Sequence, residues 1–210
     1  MVVIAVAVLL LTHKSNGNGT TGPDGIVATA GVFSFHIDPP QALATSADSN
    51  PDKADKAAKP AASAVEKLIH DFYVKAYLDP AEWTNGAYAD AFAGFSDGAK
   101  AKAMSQLDAM TAGTTAADTI ATIKEKDAHL REKVLMDPNG QPNSVVAVVT
   151  FEATVNLKDG TVGTMLSQGQ YILEKAGSGW QVTSFSVTRT DHGAKTSAGS
   201  GTATPTGSSS

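Results

Sequence analysis

The residues of this chain that could do chemistry are few, and their spacing argues against most reactions. Gly17, Gly19 and Gly22 satisfy the GxGxxG spacing of a phosphate-cradling loop. Pro23 follows at once and no βαβ pattern surrounds the motif, so no helix N-terminus is available to hold a pyrophosphate. Asn18-Gly19-Thr20 is a formal glycosylation sequon, a triplet that arises readily in a segment built of Asn, Gly and Thr. The five histidines, His13, His36, His70, His129 and His192, are scattered, with no HxH or HExxH spacing to set two ring nitrogens on one metal. No Ser-x-x-Lys, G-x-S-x-G or Walker pattern supplies a serine nucleophile or a nucleotide site. The absence of cysteine excludes disulfides, thiol nucleophiles and cysteine-ligated metals. No metal or cofactor is expected.

General acid–base chemistry needs a carboxylate whose burial raises its pKa toward the working pH. Glu66 and Asp71 fall on the charged face of a predicted helix, and Glu152 lies opposite the apolar face of a predicted strand. The sequence therefore points to no such base. The helix is predicted over residues 61–78, where Val65, Leu68, Ile69, Phe72, Ala76 and Tyr77 recur at spacings of three and four. Pro60 suits its first turn, and Asp79 before Pro80 ends it. Asp79, Pro80 and Glu82 then form the start signal of a short helix carrying Trp83. A short helix over 87–93 and a longer one over 99–110, opened by Ser96 or Asp97 and closed by Gly113, complete the helical part.

Between 117 and 136, Ile120, Ile123, Leu130 and Val134 fit a helix, while the flanking pattern and the Asp137-Pro138-Asn139-Gly140 loop favour a strand, which is the reading adopted. From Val145 to Leu157 every second residue is apolar, the pattern of a strand with one buried face. Lys158-Asp159-Gly160 and Gly177-Ser178-Gly179 turn the chain into an antiparallel meander. In its last strand Trp180 and Val182 share one phase and Phe185 and Val187 the other, which predicts a bulge near Thr183 and Ser184.

The ends differ in character. Val2 to Leu11 are ten consecutive apolar residues, which as helix reach about 15 Å, where a membrane span takes about twenty residues. Residues 1–14 read as a truncated membrane anchor or signal segment, with the domain outside the cytoplasm or secreted. Residues 15–60 read as a linker, with a solvated, partly helical spacer over 52–59 and a possible edge strand over 26–37, where Phe33, Phe35 and Ile37 alternate with Ser34 and His36. Residues 192–210 are mostly Ser, Thr, Gly and Ala, a composition that predicts a disordered tail. One domain, 61–191, remains. A formal net charge of -5 with no basic cluster excludes a nucleic-acid surface.

A helix, short helices and then about four strands, with Phe72, Tyr73 and Tyr77 on the helix, Gly160, Gly169-Gln170-Tyr171 and Gly179-Trp180-Gln181-Val182, resemble the nuclear transport factor 2-like superfamily, the cystatin-like cones. The resemblance implies an α+β fold in which the helices pack in the concave face of a curved antiparallel sheet. It also implies a cavity lined by Phe72, Tyr73, Tyr77, Trp83 and Tyr171. The layout of apolar segment, tether and cone is similar to the bacterial mammalian-cell-entry-associated membrane proteins, which implies an accessory subunit of an envelope assembly. The expected function is a noncatalytic, envelope-tethered or exported protein-interaction module. Its partner would be another protein or a second copy, met through the outer sheet face at Val146, Val148 and Thr150. A small apolar-ligand carrier, or an isomerase or cyclase of the same fold, is the alternative.

Overall fold

The computed structural model describes residues 33–43, 51–84, 87–193 and 202–203. The expected anchor, most of the tether and most of the tail lie outside the described residues. The fold is α+β, with helices on one face of a mixed open sheet. Four long antiparallel strands form the meander: β3 (Ile120–Met136), β4 (Pro142–Leu157), β5 (Val162–Ala176) and β6 (Gly179–His192). The sheet is wider than the four strands expected. The short strands β1 (His36–Ile37) and β2 (Gln41–Leu43) both run parallel to β3 along its free edge, and β7 (Thr202–Ala203) pairs with β6 inside the stretch assigned to the tail. Composition is blind to such pairings, because two or three residues carry too little periodicity to read as a strand.

The helix α1 runs over Pro51–Tyr73, beginning before the apolar stripe and enclosing Pro60. Its buried face starts with small residues, Ala54, Ala58, Ala61 and Ala62, and continues with Val65, Ile69, Phe72 and Tyr73. The alanines favour helix and allow close approach to the sheet. Pro60 sits on the exposed side, where water can take over the Lys56 carbonyl freed by the missing N–H. The helix ends in a π-helical turn, Val74–Leu78, closed by the Asp79 N–H donating to the Val74 carbonyl at 2.9 Å. The Ala112 N–H takes the Ala76 carbonyl at 2.8 Å, which ties the later loop to this turn.

Asp79 Oδ1 accepts from the Ala81 N–H at 2.9 Å and so opens α2 (Pro80–Thr84), the capping role its position implies. Residues 89–94 form turns in place of the expected short helix. Ser96 caps α3 (Asp97–Met104), and a break at Ser105 and Gln106 separates it from α4 (Leu107–Met110), so one expected helix is two. The chain then passes through α5 (Ala116–Thr119) into β3.

Strand β4 behaves as its alternation demands: Val145, Ala147, Val149, Phe151, Ala153, Val155 and Leu157 are all buried. Strand β6 carries the expected bulge. Ile172 faces Ser184 and Leu173 faces Val182, which leaves Thr183 as the extra residue. Phe33 and Phe35 close one end of the core, packing on His70 and Phe151, and the His70 ring bonds the Phe33 carbonyl at 2.9 Å. Ile37, their alternation partner, is exposed.

Candidate functional site

The five residues implied as a cavity lining are all buried, at 0–3% exposure. Four of them meet. Tyr73 and Tyr77 share one face of α1 and the π-turn at i, i+4 and stack at 5.3 Å between ring centres. Tyr171 on β5 packs edge-on against both Phe72 and Tyr73. Trp83, on α2, is buried apart from them, and its Nε1 has no hydrogen-bond partner among the described residues. Phe72 also lines an open groove, about 350 Å3 in volume, between α1 and the 90–95 turn.

At the centre of the packed space lies a chain of hydroxyls. Tyr171 and Tyr73 are 3.1 Å apart, Tyr73 and Ser167 Oγ 3.4 Å, Ser167 Oγ and Tyr77 3.1 Å, and the Tyr77 hydroxyl donates to the Ala109 carbonyl at 3.3 Å. Burial pushes the Tyr73 phenol up to about 12 and raises Tyr77 and Tyr171 well above the ordinary phenol value. All three are therefore protonated. One arrangement uses every proton: Tyr171 donates to Tyr73, Tyr73 to Ser167, Ser167 to Tyr77, and Tyr77 to the backbone. The geometry thus satisfies the buried polar groups internally, as burial requires.

The site depends on glycine at 169. Ser167, Gly169 and Tyr171 point inward from β5, and the Tyr171 ring folds back over Gly169. A Cβ at 169 would stand 2.6–2.9 Å from the Tyr171 ring and hydroxyl, so no side chain fits there while the ring stays in place. Ser167 escapes sequence reasoning because a serine at an inward strand position has no apolar signal; its partners come from α1, 90 residues or more away.

A carboxylate that sequence reasoning did not single out changes the expectation that no base is buried. Glu132 is 2% exposed, on the inward phase of β3 between Leu130 and Val134, and opposite Ala147. Its Oε1 has no hydrogen-bond partner among the described residues. Burial first, and then the neighbouring Glu66 charge, push its pKa up to about 8, so it is a neutral acid at pH 7. The signal was available in the parity of Ala128, Leu130, Glu132, Val134 and Met136. Asp71 stays on the wet side of α1, where Lys67 Nζ reaches its Oδ2 at 2.7 Å, whereas Glu66 is half-buried. Glu152 is paired with Lys126 at 2.6 Å on the outer face.

That outer face is the other candidate surface. Registered rows across β4, β5 and β6 place Val146 beside Ile172 and Ser184, and Val148 beside Gln170 and Ser186; the next row begins with Thr150. None of these residues is charged, and Val148 and Ile172 are 37% and 36% exposed. Charge returns at the edge, on Arg131 and Lys133 of β3.

No helix among the described residues is long and apolar enough to cross a membrane. Comparison with family models, with curated proteins and with solved structures gives no match.

Proposed function

We propose that this protein is a noncatalytic accessory module of a cell-surface assembly, tethered by its N-terminal apolar segment, which works through the outer face of its sheet. The cone of the nuclear transport factor 2-like superfamily is the finer fold that this reading carries, with α1 lying in the curve of β3–β6. The observation that supports it is the closed hydroxyl chain. Tyr73, Tyr77, Tyr171 and Ser167 spend their protons on each other and on a backbone carbonyl, so none is left poised for a substrate. The buried acid does not complete a reacting centre with them. Glu132 is separated from Tyr171 by Ala147 in the same row, about 10 Å at two strand spacings, and no hydrogen bond joins the carboxyl to the hydroxyls among the described residues.

Recognition then falls to the surface, and the uncharged rows of β4–β6 suit a partner of like character. A second copy of this chain is the occupant proposed, because two neutral faces can meet without stranding a charge at the centre of the contact. A stable contact of this kind covers about 800 Å2 on each partner. Sedimentation of the wild type and of Val148→Lys/Ile172→Lys tests it. The wild type is expected to dimerise at about 10 μM, and the two central lysines to weaken that association by at least about a hundredfold, since each buried unpaired charge costs a few kcal/mol. A wild type that stays monomeric at about 200 μM, or a variant that dimerises equally well, overturns the reading.

A further inference from the structure

We propose that His36 and His129 form a two-imidazole site for Zn2+ that pins the N-terminal strand to the sheet edge. The two residues are 93 positions apart and become direct partners through the parallel pairing of β1 with β3. Both side chains are exposed, so an ion reaches them from solvent. Their ring centres are 5.2 Å apart, with the planes at 36°. That spacing is compatible with two rings sharing one tetrahedral zinc. With Zn–N bonds of about 2.0–2.1 Å, each ring centre lies roughly 3.2 Å from the metal, and two such rings at the tetrahedral angle have centres about 5.2 Å apart.

Asp127 supplies the supporting contact. Its Oδ2 lies 3.1 Å from His129 Nε2, and a carboxylate on one ring nitrogen fixes the imidazole's orientation and leaves the other nitrogen, here Nδ1, for the metal. Two neutral imidazoles favour a borderline ion over Mg2+ or Ca2+, which demand oxygen ligands. Two protein ligands leave the remaining positions to water, so the site is open and of modest affinity. Its consequence is mechanical. β1 holds β3 through two registered pairs, extended by the Asp38 N–H donating to the Leu130 carbonyl at 3.2 Å, and a metal bridge would add a bond across the same junction. Anything that binds the docked state alone stabilises it in proportion to its occupancy.

The experiment is calorimetric titration of the full chain with ZnCl2 at pH 7.5, alongside His36→Ala, His129→Ala and Asp127→Asn. One zinc per chain is expected at this site. Either histidine variant weakens binding at least tenfold, and the asparagine variant by about tenfold, the usual effect of removing a supporting carboxylate. Because these side chains are exposed, circular dichroism should stay unchanged. Hydrogen exchange of the Asp38 amide gives a second readout, slowed by zinc in the wild type and not in the histidine variants. Absence of zinc binding, or binding at full strength in either histidine variant, overturns the proposal.

Discussion

Replacing Glu132 with glutamine is expected to raise the melting temperature at pH 8.5 by on the order of 10 °C and to leave it nearly unchanged at pH 4.5. The native acid holds its proton up to about pH 8, whereas the unfolded chain releases it near the ordinary value of 4.5. Below that value both states are protonated and the buried group carries no electrostatic penalty. As pH rises between the two values the native state binds more protons than the unfolded state, so stability falls by up to about 1.4 kcal/mol for each pH unit. Above about pH 8 both states are ionised and the loss levels off. The accumulated penalty is on the order of 4 kcal/mol, and each kcal/mol shifts the melting point of a chain this size by about 2–4 °C. Glutamine has the shape of the protonated acid and cannot ionise, so the gap between variant and wild type should open steadily with pH. The neighbours explain why no rescue is at hand: Leu130, Val134 and Ala147 are apolar and Glu66 is of like charge. Thermal melts of both proteins from pH 4.5 to 9 decide it. A gap independent of pH, or a variant less stable than the wild type at pH 8.5, would show that the carboxyl is ionised and paired.

Arg189→Met is the substitution expected to cost most, about 3–5 kcal/mol, read as a melting point lower by on the order of 10 °C. Arg189 is 4% exposed and acts as a clasp between β6 and the loop that follows α4. Its Nε and Nη2 donate to the two oxygens of Asp191 at 3.0 and 2.7 Å, and Nη1 donates to the carbonyls of Asp108 and Thr111 at 3.1 and 2.7 Å. Methionine fills much of the volume but offers no donor. It leaves the Asp191 carboxylate, 12% exposed, without its guanidinium, and two helix-end carbonyls without theirs. Replacing both partners, as in Arg189→Met/Asp191→Leu, removes the carboxylate along with its guanidinium and is expected to recover part of the loss, because a buried ion pair often does no better than a packed apolar pair. A single variant as stable as the wild type would show that the clasp does not hold the loop.

The parts of the fold that sequence reasoning reached are those with uninterrupted periodicity. The stripe from Val65 to Tyr77 and the alternation of β4 each repeat long enough to be unambiguous. The bulge at Thr183 is legible because Trp180 and Val182 change phase with Phe185 and Val187 across it. β3 is harder for a physical reason. Bulges leave Ala121 and Lys126 as extra residues, and each shifts the inward phase by one, so Ile120, Ile123 and Leu130 fall at spacings that imitate a helix. The beginning of α1 is hidden because its buried face is alanine, which is small enough to be mute on any hydropathy pattern. Non-local pairings leave no trace at all: the meeting of His36 with His129, the docking of β2 on β3, and the approach of Ser167 to Tyr73 and Tyr77. Glu132 differs from these: the parity it shares with Leu130 and Val134 marks it as inward, although it was not singled out.

The space between α1 and the sheet is closed by its own side chains: Tyr73, Tyr77, Tyr171 and Ser167 meet in it and bond one another. The hydroxyl protons of Tyr73, Tyr77 and Tyr171 report on it directly. Held in a buried chain that ends on the Ala109 carbonyl, they should exchange slowly enough to appear as separate resonances in proton NMR at neutral pH. An apolar probe such as an alkylated naphthalene should leave them unmoved. Hydroxyl signals lost to rapid exchange with water, or shifted by the apolar probe, would mean that this space is an open cavity and not a packed core.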